Sequence, residues 1–258
     1  MISLREAGWR IAAALFVLFL ISPLALVVIF SFTDRTLTNF PMNGVSLRWW
    51  LEMFQHRQFA DALGNSLTIG LSVGIASAAI GTLAAIGLGQ LPPRHSTLMM
   101  AALCLPLMLP PLVLAVSLLT FYVEIGLRPS LLTVILSHLL FTQPFVILVV
   151  HARLATFDYR VVESARDLGA TPIKAFLTVT LPIIRPTIIG AALVAIALSF
   201  DDFIITFFTI GSGNTLPTLV WGMIRTGLTP MVNAIGTLII LITIGSILVA
   251  LALTRYRG

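Results

Sequence analysis

Six apolar stretches, each long enough to cross a lipid bilayer, recur along this 258-residue chain from end to end. A helix needs about 20 mainly apolar residues to span the hydrocarbon core. The stretches cover residues 9–32, 63–91, 97–122, 131–150, 187–210 and 232–253. Charged residues make up only 10% of the chain and apolar ones 58%. A soluble domain carries about 25% charged residues, so this chain could not cover its surface with polar groups in water. The expected fold is all-α, a polytopic membrane protein with six transmembrane helices. Arg5 and Arg10 precede the first stretch as they would a signal peptide. Its apolar run is too long and no small-residue cleavage site follows, so it reads as an uncleaved first helix.

Basic residues report orientation rather than a nucleic-acid surface, because they are scattered between the apolar segments. Six spans place both termini on one side. That side would hold Arg5, Arg10, Arg94, Arg153, Arg160, Arg166, Lys174, Arg185, Arg255 and Arg257, ten residues against five on the other. The richer side is expected to be cytoplasmic. The chain divides into a first helix with its outer loop (1–62) and a membrane domain of the other five spans (63–254) carrying a cytoplasmic loop at 151–186. In the outer loop, 46–54 reads as a short amphipathic helix whose Trp49 and Trp50 either sit at the headgroups or pack on the bundle. Residues 211–231 read as a further outer loop.

The segment 158–182 carries the most information. Val161, Val162, Ala165 and Leu168 recur at helical spacing, with Arg160, Glu163, Arg166 and Asp167 between them. That pattern predicts a short amphipathic helix over 159–168. Gly169 can take the left-handed conformation that ends it. Thr171 is a good N-cap and Pro172 a good first residue for a second short helix through Ile173, Phe176 and Leu177. Leu181-Pro182 and Pro186 are expected to break the chain before the fifth span. The product is a helix–turn–helix that suits insertion into a partner's groove.

The fifth stretch contains adjacent acids, Asp201 and Asp202. Fifteen residues beyond Pro186, at 1.5 Å per residue, they lie about 22 Å into a core about 30 Å thick. A carboxylate near the bilayer centre costs about 2.5–3.5 kcal/mol, so neither should face lipid. They line a cavity, pair with a neighbour, or cap a helix break. His138 in the fourth stretch reads as a neutral imidazole bonded to a backbone group. Tyr122 and Glu124 close the outer end of the third stretch, where they suit an outer gate, and Pro106, Pro110 and Pro111 should kink it. Cys104 is alone, which excludes an intrachain disulfide and a cysteine metal cluster.

Residues 158–182 resemble the EAA motif of type I importer permeases of the ATP-binding-cassette class. Glu163-Ser164-Ala165 fills the Glu-Ala-Ala opening, Gly169 follows at the family spacing, and Val179, Leu181 and Pro182 close the pattern. Ser164 for Ala and Val179 for Ile are mild departures. Asn65-Ser66-Leu67, Leu109-Pro110-Pro111, Gln143-Pro144-Phe145 and Ser199-Phe200-Asp201-Asp202 extend the resemblance over nearly the whole chain, nearest to the second permease subunit of spermidine/putrescine importers. The resemblance implies that Glu163, Ser164, Ala165, Asp167, Gly169, Ala170, Leu181 and Pro182 couple to an ATPase subunit, with the glutamate capping or pairing locally. It implies a substrate-pathway role for Asp201 or Asp202, and as partners two ATPase subunits, a second and different permease, and an external binding protein in the bacterial inner membrane. No cofactor is expected in this chain, since ATP and Mg would bind the partner. A P-loop needs Gly-x-x-x-x-Gly-Lys-Ser/Thr, whereas the one lysine, Lys174, follows Ile173. The chain is therefore not expected to be an enzyme. A secondary transporter driven by an ion gradient is the competing reading; inverted repeats would favour it. Permeases of this class also serve opines, ferric ion, thiamine and sulfate, so the resemblance leaves the substrate open.

Overall fold

A computed structural model describes residues 4–255 except Leu37, Asn43 and Leu228. Of the residues used above for orientation, Arg257 and the side chains of Arg5 and Arg255 lie outside the described residues. The chain is all-helical in its long elements, as lipid demands: a spanning segment must satisfy its backbone polar groups internally. The helices are α1 (Leu4–Phe30), α2 (Arg48–Gln55), α3 (Arg57–Gly89), α4 (Pro93–Met108), α5 (Pro111–Glu124), α6 (Leu131–Ala155), α7 (Arg160–Asp167), α8 (Pro172–Ala175), α9 (Leu181–Asp201), α10 (Ile204–Thr209), α11 (Leu216–Thr226) and α12 (Met231–Arg255). Among the described residues, five helical segments are long and apolar enough to cross a membrane, and the α4–α5 pair supplies a sixth if counted as one bent span.

Two compact units emerge. The first holds residues 1–60 and 219–240. Here α1 turns its large apolar side chains outward, the expected exposure for a helix solvated by lipid. Thr237 donates to the Val27 carbonyl at 3.5 Å. In α2, Trp49 and Met53 are buried and Trp50 stacks on Phe32 at 5.8 Å. Of the two placements open for the tryptophans, packing within the unit is the one realised. The same helix turns Leu51 and Phe54 outward, and Leu47 just before it is exposed too.

The second unit holds residues 61–218 and 241–258. Its largest apolar cluster joins Ala85 and Leu88 of α3, Val146, Ile147 and Val150 of α6, and Ile184, Ala191 and Ala195 of α9. Close approach between these helices depends on small residues. A Cβ added at Gly81 would lie 2.6 Å from Val146 Cγ1, so α3 can seat on α6 only with glycine there.

Three sequence expectations are corrected. The stretch 97–122 is bent far more sharply than a kinked single helix: it is two helices, α4 and α5, that meet at 97°. Consecutive prolines cause the break, since a residue before proline is driven out of the helical region; Leu109 and Pro110 have ψ of 138° and 133°. The fifth span is not 187–210. Leu181-Pro182 and Pro186 do not interrupt the helix, because α8 runs through a π-helical turn, Phe176–Thr180, directly into α9. That wider turn pairs the Leu181 N–H with the Phe176 carbonyl and accommodates Pro182, which has no N–H to give. The helix then ends at Asp201, nine residues short of the expected limit. Finally, the loop at 211–231 contains the 11-residue α11, whose Leu216 N–H is held by Ser66 Oγ at 2.9 Å.

Candidate coupling element and substrate pathway

The segment after α6 is built by local rules. Asp158 starts α7 by accepting the Arg160 N–H on Oδ1 at 3.1 Å. The Arg160 guanidinium grips both carboxylate oxygens at 2.9 and 3.0 Å. This pairing holds the Asp158 carboxyl below its ordinary value of 3.8. The local capping acid is thus Asp158 rather than Glu163; Glu163 is exposed and acts on Arg160 through its charge alone. At the far end Gly169 has φ +90°, its N–H bonds the Arg166 carbonyl at 2.9 Å, and the Ala170 N–H bonds the Ala165 carbonyl at 3.1 Å. This is a Schellman ending, which favours glycine at the left-handed position. Thr171 then caps α8, accepting the Lys174 N–H at 3.3 Å.

The resulting knob has an anchored edge and a free tip. Val162 packs on the main apolar cluster and Ala175 is buried. Glu163, Arg166, Asp167, Ala170 and Pro172 surround a polar hollow of about 330 Å³. Leu168 and Ile173, on either side of the turn, are 90% and 73% exposed. Of the expected coupling residues, Glu163, Ser164, Asp167 and Gly169 lie together at the tip with Ala165 and Ala170 half-buried beneath them. Ser164 Oγ is spent on the Arg160 carbonyl at 2.9 Å. Leu181 and Pro182 belong instead to the first turn of α9.

The second constellation surrounds the end of α9. Asp201 is the last helical residue and Asp202 leaves the helix with ψ 125°, before α10 begins at Ile204. Asp202 Oδ2 accepts the Thr206 N–H at 2.9 Å and the Thr206 hydroxyl at 3.2 Å. Fully buried His138 stands behind it, with Nε2 3.3 Å from the same oxygen. Nε2 also lies 3.0 Å from Thr206 Oγ1, and Nδ1 lies 2.7 Å from Ser199 Oγ. With the Thr206 hydroxyl donating to Asp202, one arrangement of protons satisfies every group: Ser199 donates to Nδ1, and Nε2–H donates toward Thr206 and Asp202. His138 therefore bonds side chains, not the backbone group expected from the sequence.

A ladder of hydroxyls extends this network along α6. Thr142 bonds Ser77 of α3 at 2.9 Å, and Ser137 bonds the Tyr122 hydroxyl at 3.0 Å. Tyr122 is buried in that contact while Glu124 is exposed. Both acids line an open cleft of about 510 Å³ shared with Thr243, but only Asp202 has its carboxylate engaged by neighbouring side chains. Sequence reasoning missed Thr206, Thr243 and the part that Ser199 plays as the partner of His138. The four-residue step from Asp202 to Thr206 is a capping signal that could have been read; Thr243, one hydroxyl in an apolar span, gives none.

Comparison with known proteins agrees with this architecture. The family model described as "Binding-protein-dependent transport system inner membrane component" matches residues 77–258. The chain is similar to the putrescine transport system permease protein PotI of Escherichia coli K12, 37% identical over 244 residues, covering 91% of this chain and 86% of that one. It is also similar to the spermidine/putrescine permease PotC of Haemophilus influenzae, at 29% identity over 92% of each chain. Among solved structures, a bacterial alginate ABC transporter in complex with its alginate pentasaccharide-bound periplasmic protein matches with TM-score 0.65 at 19% identity, covering 98% of this chain and 93% of that one. The MetNI methionine ABC transporter, in an inward-facing form, matches with TM-score 0.63 at 18% identity over 78% of this chain and 96% of that one. The chain belongs to the family of inner-membrane components of binding-protein-dependent transport systems and is a permease subunit of an ATP-binding-cassette importer.

Proposed function

We propose that this subunit imports a polyamine, putrescine or spermidine, and does so by passing the motion of a separate ATPase through the knob at 158–182. Residues 63–254 form the permease domain and both termini lie in the cytoplasm. The observation that carries the coupling role is the tip itself: two large apolar side chains, Leu168 and Ile173, stand exposed beside a rigid glycine turn on an otherwise charged element. Outside lipid, such a tip is stable when a partner covers it. The arrangement suits Glu163, Ser164, Ala165, Asp167, Gly169 and Ala170 entering a groove on the ATPase, with Leu181 and Pro182 joining the knob to the membrane helix.

The chain contributes half of a pathway, completed by a second, different permease, and an external binding protein delivers the substrate. It binds no nucleotide and catalyses no reaction; ATP and Mg belong to the ATPase. The polyamine assignment draws on the similarity to PotI and PotC and on acids placed at the end of α9, where a cationic substrate would offset their cost. The test is reconstitution of the full complex in liposomes. ATP-dependent uptake of labelled putrescine that disappears with Leu168→Glu, while the permease still inserts, is the expected result. Uptake that runs on an ion gradient without any ATPase would overturn the proposal.

A further inference from the structure

The adjacent carboxylates at the end of α9 do different work, and their surroundings separate them. Asp202 is occupied: Thr206 donates to it twice and His138 stands 3.3 Å away. Its remaining freedom is small, because rotating it outward would abandon all three. Asp201 accepts no hydrogen bond and forms no ion pair among the described residues. It occupies the C-terminal residue of α9, where the helix dipole is negative and disfavours a further negative charge. The neighbouring Asp202 adds to the same potential. Among the described residues of this unit no cation or donor compensates Asp201, although a carboxylate in a membrane-spanning region requires compensation.

Both acids line the same cleft, Asp202 with its carboxylate already engaged, and the cleft holds one hydroxyl besides. Thr243 of α12 lines it, and its Oγ1 is buried with no hydrogen-bond partner. A buried hydroxyl without a partner costs stability unless something fills the place. The rest of the wall includes Val194, Leu198, Ile204 and Ile247. A carboxylate, a hydroxyl and an aliphatic wall are the complement of a primary ammonium group on a methylene chain. The charge goes to the carboxylate, an N–H to the hydroxyl, and the methylenes to the wall.

We infer that Asp201 and Thr243 form a half-site for a primary alkylammonium group in the pathway, and that Asp202 is a positioning residue that holds the helix break open through Thr206 and His138. The inference rests on the polyamine reading above and sharpens it to named atoms. Losing a charge-assisted hydrogen bond removes about tenfold or more in binding, and losing a neutral one removes less.

The reconstituted complex provides the test, with uptake of labelled putrescine and its competition by 1-aminobutane and by 1-butanol as readouts. In assembled complexes Asp201→Asn should lower uptake about tenfold or more, and Asp201→Glu should retain more than Asp201→Asn. Thr243→Val should lower uptake severalfold and Thr243→Ser should restore it. The amine should compete and the alcohol should not, and that distinction should fade in Asp201→Asn. If Asp201→Asn does not assemble, the Thr243 pair carries the test, since hydroxyl-dependent uptake is not expected of a packing role. Wild-type uptake in assembled Asp201→Asn and Thr243→Val complexes overturns the half-site, as does selective loss in Asp202→Asn alone. Failure of the wild-type complex to transport putrescine overturns the polyamine reading instead, and the half-site with it.

Discussion

The turn at Gly169 and the break at Asp202 both stop one helix and start another, yet they are held by opposite means. The first is closed by backbone bonds between residues at most five apart, from Gly169 to Arg166 and from Ala170 to Ala165. The second is held by side chains from distant sequence: His138 reaches Ser199 and Thr206 across separations of 61 and 68 residues. The first is exposed and must keep its shape while a partner moves it. The second is buried against α6 and opens toward a cleft. A locally determined bend transmits motion without relying on the packing of the bundle. A bend held by tertiary bonds responds to that packing, as a pathway lining in an alternating-access transporter must.

The largest expected effect breaks the first bend. Gly169→Val forces a β-branched residue to φ +90°, a conformation that costs a non-glycine residue about 1–2 kcal/mol and a branched one more. ATPase retained on affinity-purified permease should fall about tenfold. Gly169→Asn should be the mildest replacement, because asparagine tolerates the left-handed region; equal loss with Asn and Val would show that space rather than backbone shape matters.

The second bend is expected to fail through stability. His138→Leu removes two interhelical hydrogen bonds, each about 0.6 kcal/mol on average and at most about 1.7 in membrane proteins, and leaves Ser199 without its side-chain partner while Thr206 keeps Asp202. A loss of about 1–3 kcal/mol should appear as a melting midpoint lower by about 5 °C in the detergent-purified complex, with ATPase association retained. Gly81→Val should cost a similar or smaller amount, about 1–3 kcal/mol, by forcing α3 from Val146. It should affect both bends alike, since it loosens the scaffold that carries them.

The smallest effect is at Asp158. Its carboxyl is depressed below 3.8 by Arg160, so its contribution is fully present above that value and is lost only as pH falls through the lower folded value. Association with the ATPase should therefore be flat between about pH 5 and 8, and Asp158→Asn should change it less than about twofold. A steep dependence in that range would point to another titrating group in the knob.

The same contrast explains what the sequence made legible. Glycine, threonine and proline at 169, 171 and 172 specify the knob by their own conformational preferences, and all three act as expected. The spans at 63–91, 131–150 and 232–253 were equally visible, because apolar length alone specifies a membrane helix. The 97° break between α4 and α5 was legible as a bend but not in size, since two prolines forbid a helix without setting the angle. The end of α9 was only partly legible. Apolar residues continue to Ile210, and the helix stops at Asp201 because Asp202 caps Thr206, a local signal, with His138 behind it from a segment that no local window contains. Pro182 misled in the opposite direction, because a π-helical turn absorbs a proline that an α-helical turn would not.

Cross-linking from the tip of the knob tests the central claim most directly. In a Cys104→Ser background, Leu168→Cys is introduced into the intact complex and treated with a short bifunctional thiol reagent. The ATPase subunit carries cysteines introduced one at a time around its groove. A permease–ATPase product whose yield changes when ATP is added is the expected result, along with protection of Leu168→Cys from a membrane-impermeant thiol reagent applied outside intact cells. Labelling from outside, with no cross-link to the ATPase at any groove position, would contradict the account.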